Sequence, residues 1–174
     1  MLSLTSLAGW EDAVLASIGG ASGSLVERDR QIERSGLYGE YPAIVRAYVD
    51  LFDDAASALE ALKRAVFLVW RAAMAPAGET GIAELPDGVS RAVIQELDDC
   101  IRQETDDEEL AWMLAWYQDQ GAHVFELFGA TPRVLAVGVE TQPDAWKSVR
   151  IDAAAMARRG QMGRYWSELA AGPR

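Results

Sequence analysis

The sequence predicts an all-α protein: a single-domain bundle of five to seven helices around one long central helix. Three observations carry that expectation. Residues 43–75 contain neither glycine nor proline, and apolar side chains recur there at Ile44, Tyr48, Leu51, Ala55, Leu59, Leu62, Val66, Val69 and Ala73. Those steps of three and four are the period of one helix face, so residues 42–75 read as a single amphipathic helix reaching about 50 Å. A second such pattern covers residues 107–128, with Leu110, Met113, Leu114, Tyr117, Val124, Leu127 and Phe128 on one side. Finally, the one β-like run, residues 134–139 (VLAVGV), has no second strand to pair with, so it is expected to be at most a minor extended segment.

Length and composition fit this picture. A chain of 174 residues suits one domain and buries about 70% of its unfolded surface, enough to fold without a metal or disulfide staple. Hydrophobic residues make up 50% and charged residues 25%, an ordinary globular balance. Cys100 is the only cysteine, so no internal disulfide forms, and it is expected to be a buried structural thiol. No Lys or Arg occurs in the first 27 residues, and Glu11 and Asp12 interrupt the apolar run there, which argues against a signal peptide. The apolar run at residues 65–70 is far too short to span a bilayer. A cytoplasmic location is the resulting expectation.

Taken in order, residues 2–18 suit a short helix bearing Leu4, Leu7, Trp10, Val14, Leu15 and Ile18. The run GGASGS at residues 19–24 breaks regular structure as a flexible linker would, so residues 1–23 are expected to be an N-terminal arm and residues 24–174 a single helical domain. Residues 25–34 suit a short charged helix with Leu25, Val26 and Ile32 on one side, and Pro42 stands at the favoured first position of the long helix. Glu60 and Arg64 lie four apart on its polar side. Residues 65–70 are apolar all round, which places that end in the middle of the core. Pro76 and Gly78 stop the helix, and residues 76–88 form a connection anchored by Ile82 and Leu85. A helix to about Glu104 turns Val89, Val93, Leu97 and Ile101 inward. Carboxylates at residues 106–109 suit the start of the next helix, where the macrodipole stabilises them. Residues 144–171 read as one or two helices with Trp146, Val149, Met156, Met162, Trp166 and Leu169 inward.

The net charge is −11, and it is uneven: residues 141–174 carry six basic and three acidic side chains, leaving −14 over residues 1–140. Most of this surface would repel a nucleic-acid backbone or an anionic membrane. A basic protein partner, or self-association, is compatible with it. The phrase Arg159-Gly160-Gln161-Met162-Gly163-Arg164 holds a Gly-x-x-Gly, but the KH domains that clamp nucleotides with such a loop need paired strands; close backbone approach accounts for the glycines better. Arg158, Arg159 and Arg164 are expected to meet the acidic run at residues 106–109.

The candidate site lies on the 107–128 helix. At 100° per residue, Trp112, Trp116, Asp119, His123 and Glu126 share the side opposite the apolar face. Two tryptophans and the only histidine thus stand where solvent-facing residues belong, and tryptophans are frequent interface anchors. Gly121 is placed to kink the helix and break this alignment. Asp119, His123 and Glu126 have ligand-type side chains, but one histidine in the order His-x-x-Glu falls short of a di-iron bundle, so no metal and no cofactor is expected. There is no phosphate loop and no Gly-x-Ser-x-Gly, which weighs against an enzyme and leaves catalytic residues unassigned. The expectation is a small acidic interaction module, such as an adaptor, an immunity-type inhibitor or a regulatory protein. The alternative is an enzyme or small-ligand binder with a pocket around His123, walled by Phe67, Trp70, Trp112 and Trp116.

Overall fold

A computed structural model describes residues 2–103 and 107–172. Residues 104–106, which take in the expected end of one helix at Glu104 and Asp106 of the acidic run, lie outside the described residues. Among those described, all regular structure is helical, and there is no strand. In order the elements are α1 (Leu4–Gly19), α2 (Leu25–Arg34), a 3-10 turn (Leu37–Gly39), α3 (Glu40–Val49), α4 (Ala58–Met74) and α5 (Ala77–Thr80). They continue as α6 (Asp87–Arg102), α7 (Glu108–Gly121), α8 (His123–Leu127), α9 (Pro132–Glu140), a 3-10 turn (Ala145–Ser148), α10 (Ala153–Met156) and α11 (Gly160–Ala171).

The all-α class stands, but the number and layout of helices differ from expectation. The single helix over residues 42–75 is two helices, α3 and α4, which pack against each other across a turn at residues 50–57. The Asp54 carboxylate accepts bonds from the Ala56 backbone N–H and the Ser57 hydroxyl, offering the backbone a local alternative to the helix ladder. Leu51 still points inward, 3% exposed, so the apolar period runs on through the break and hides it. The expected five to seven helices become eleven because that helix splits, the 107–128 helix divides into α7 and α8, and short turns α5 and α10 form beside Gly and Pro breaks. Residues 134–139 are not extended but lie within α9. With no partner strand available, a helix satisfies the backbone of this run internally, and Pro132 occupies its favoured first turn.

The segment expected as an arm carries α1 into the common core. Ser3 caps it by accepting the Ser6 N–H, and Leu7, Val14 and Ile18 are buried against α3 and α11. A capping box at Ser24 and Glu27 starts α2, where Ile32 alone is buried and Leu25 and Val26 face solvent. The centre of the molecule is α4: every residue from Ala61 to Trp70 is buried, and α3, α6, α7 and α11 surround it. No helix among the described residues is long and apolar enough to cross a membrane.

Close approach explains the two glycines at the start of α11. A Cβ on Gly163 would lie 1.8 Å from the Met156 carbonyl oxygen, so the turn joining α10 to α11 closes only over a hydrogen. Gly163→Ala is therefore expected to lower stability by about 3 kcal/mol, read as a lower urea midpoint with an unchanged slope. A variant that unfolds at the wild-type midpoint would show that this turn shifts freely.

Candidate binding cleft beside Trp116 and Trp146

Five aromatic rings from three elements, α7, the 3-10 turn at residues 145–148 and α11 itself, meet around Trp166 of α11, which is fully buried. Trp112 meets it edge-on at 4.5 Å, and Tyr117, Tyr165, Trp146 and Trp116 lie between 5.7 and 6.4 Å. Hydrogen bonds set the ring directions: the Trp166 indole N–H donates to the Tyr117 hydroxyl at 2.9 Å, and the Trp116 N–H to the Tyr165 hydroxyl at 2.7 Å. Trp146 comes from the 3-10 turn after Asp144, and its buried indole N–H has no acceptor among the described residues.

Where this assembly reaches the surface it forms one wall of a cleft of about 710 Å³. Trp116, Trp146, Val149, Ile151 and Leu169 line it, with Lys147 at its edge. That volume lies in the range of sites that take a small ligand or a few side chains. Val149 is 44% exposed, a large apolar side chain left uncovered beside two tryptophans. The Lys147 ammonium stands 3.8 Å from Asp144 and 6.0 Å from the Trp146 ring centre.

The structure divides the residues singled out in the sequence. Trp112 is 5% exposed and faces Trp166, whereas Trp116 is half-buried and reaches the cleft. Asp119, His123 and Glu126 are exposed, and none of them lines the cleft. The stripe comes apart because α7 ends at Gly121, where the Met74 sulfur of α4 occupies the space a Cβ would need, and α8 sets off anew at His123. Phe67 and Trp70 lie wholly in the core, Trp70 stacked on Tyr117 at 4.7 Å and donating to its carbonyl. Sequence reasoning marked Trp146, Val149 and Leu169 as inward and did not foresee Ile151. Their irregular spacing around Pro143 was the available signal that no single helix buries them together. Among the described residues no three of His, Cys, Asp and Glu are grouped as a metal site.

Two largely buried polar clusters lie apart from the cleft; the Glu60–Arg64 pair and an arginine at the acidic run were legible in the sequence, and the Glu11 cluster was not. In the first, Arg159 bridges Glu60 and Glu109 with paired bonds of 2.5–2.9 Å, Lys63 binds Asp107 and Glu109 at 2.8 Å each, and Arg64 binds Glu60 and the Leu4 carbonyl. Of the three arginines expected at the acidic run, Arg159 reaches Glu109, Arg164 pairs with Asp12, and Arg158 is exposed. Burial opposes ionisation of Glu109, but the bonds from Arg159 and Lys63 outweigh it and hold the carboxyl below its usual range. In the second cluster, Glu11 is 1% exposed and accepts from the Tyr48 hydroxyl at 2.6 Å and the Gln161 backbone N–H at 2.9 Å. The Gln161 side chain donates to the Tyr41 hydroxyl and the Thr80 carbonyl. Desolvation pushes the Glu11 carboxyl up to about 7, against the opposing pull of those two bonds and the Arg64 charge.

No protein-family model matches this chain, and no curated protein or solved structure is similar to it. The class defined by fold and surface is an all-α protein with an apolar cleft walled by tryptophan.

Proposed function

We propose that this protein is a non-catalytic interaction module of the cytoplasm, an adaptor, inhibitor or regulatory protein. Its Trp116–Trp146 cleft takes an apolar segment of a basic partner. The observation that carries this reading is the cleft itself: two tryptophans and three aliphatic side chains at one opening, Val149 among them left uncovered. Aromatic anchors in such a setting supply much of the energy of protein association. An amphipathic helix laid in a groove uses the same combination of apolar contact and charged rim. Residues 1–140 carry −14, which favours a basic partner, whereas residues 141–174, which supply every cleft residue but Trp116, carry +3. The cleft contributes the apolar contact and the rest of the surface the steering.

Ala170→Arg and Val149→Asp test this, because both positions are exposed cleft residues whose replacement leaves the core intact. Tagged wild-type protein is expected to hold one basic polypeptide stoichiometrically from its native lysate at low salt and to release it at high salt. Both variants, melting at the wild-type temperature, are expected to lose it. Equal capture by the variants, or no stoichiometric polypeptide at all, overturns the proposal.

A further inference from the structure

We propose that α1 is a proton-controlled latch: Glu11 fastens it to the start of α11, and ionisation of that carboxyl loosens α1 while the rest of the bundle stays folded. This does not rest on the function proposed above.

The geometry begins with a missing cap. α11 opens at Gly160 with no side-chain hydrogen bond from Arg159 at the cap position, so its first backbone donors need partners from elsewhere. Glu11, on an element 150 residues away in the chain, accepts from the Gln161 N–H and takes the place of that cap. Gly160 makes room for it. Its φ is +59°, and a Cβ there would lie 2.5 Å from the Glu11 carboxylate.

Among the described residues no cation is bonded to Glu11, although charges surround it. Asp12 on α1 is a further anion, and Arg164 of α11 pairs with Asp12. From α3 come the Tyr41 and Tyr48 phenols, kept neutral by burial. Arg64 of α4 attracts the carboxylate, but its bonds go to Glu60 and the Leu4 carbonyl; Arg159 is committed to Glu60 and Glu109. The ionised carboxylate therefore sits in a dry site on two hydrogen bonds. The protonated form keeps the Gln161 N–H bond at one oxygen and reverses the other: its O–H donates to the Tyr48 oxygen, whose own proton turns away from Glu11.

The sign follows from linkage. Closed, the group titrates at about 7; open to water, at its ordinary value of 4.5. Between those values the latched state holds the proton more tightly, so latching is strongest below 4.5 and weakens as pH rises through 7. Opening needs no global unfolding, because α1 lies at one end of the described chain and joins α2 through GGASGS at residues 19–24. The bonds from Trp10 to Glu40, Arg64 to Leu4 and Arg164 to Asp12 remain to hold α1 when Glu11 ionises, so the change is one of population.

Amide hydrogen exchange on the whole protein reads this directly. With intrinsic rates divided out, protection of α1 amides is expected to fall about 20-fold between pH 5.5 and 7.5. It is expected to stay well below that of α4 amides at both, because α4 opens only with the whole bundle, which frees Glu11 as well. In Glu11→Gln the amide reproduces the protonated carboxyl, donating to Tyr48 and accepting from Gln161, so α1 protection is expected to stay flat. Equal α1 protection in the wild type at both pH values overturns the proposal, as does the same fall in Glu11→Gln. Should that variant fail to fold, carboxyl carbon NMR of the wild type decides: a Glu11 midpoint near 7 supports the latch, and one near 4.5 overturns it.

Discussion

Trp166→Ala is expected to lower stability by about 3–5 kcal/mol, the largest single-site loss in this molecule, with a fall in Tm of roughly 10 °C. The indole is fully buried and touches five other aromatic rings, and its N–H satisfies the buried Tyr117 hydroxyl. Truncation removes those contacts, leaves a cavity and strands the hydroxyl. The site resists collapse because its neighbours sit on separate elements: Trp112, Trp116 and Tyr117 on α7, Trp146 on the 3-10 turn. Since Trp116 and Trp146 both lean on Trp166, the cleft is expected to lose its shape as well. Urea unfolding gives the energy, and near-ultraviolet circular dichroism reports the ring environment. A loss under about 1 kcal/mol with an unchanged spectrum would mean that the rings order one another without Trp166.

Arg159→Ala comes second, with an expected loss of about 2–4 kcal/mol. The guanidinium spans Glu60 and Glu109 and joins the entry of α11 to α4 and α7. Without it two carboxylates face each other with only Arg64 and Lys63 to balance them. The side chains of Glu60 and Glu109 are 27% and 30% exposed, so water softens the penalty below that of a fully buried pair. The pH dependence distinguishes a charge effect from lost packing. Glu109 is held below its usual range, so its contribution is present at neutral pH and lost as pH falls through that lowered value. The gap between wild type and Arg159→Ala is therefore expected to narrow on acidification, in urea melts run across that range. A gap constant with pH would assign the loss to packing alone.

Local patterns carried the class of the fold because helix periodicity is written in neighbouring residues. The buried run at residues 65–70 belongs to this kind of information. The break at Asp54 escaped because Leu51 keeps the apolar phase through the turn; an amphipathic pattern records which face is inward and not whether the axis reverses. The run VLAVGV was misjudged for the opposite reason. Its residues favour a strand, and the absence of a partner strand decided otherwise.

The sequence by itself determined an acidic, all-helical chain with two tryptophans on the 107–128 segment. Only the tertiary structure decided which tryptophan reaches the surface, because Trp112 turns edge-on to the buried Trp166 of α11 while Trp116 extends to the cleft. It alone set Glu11 under α11 and Arg159 between two glutamates, at separations of 150 and up to 99 residues. Desolvation and hydrogen bonding act over a few ångströms of space. A sequence lists such partners without placing them side by side.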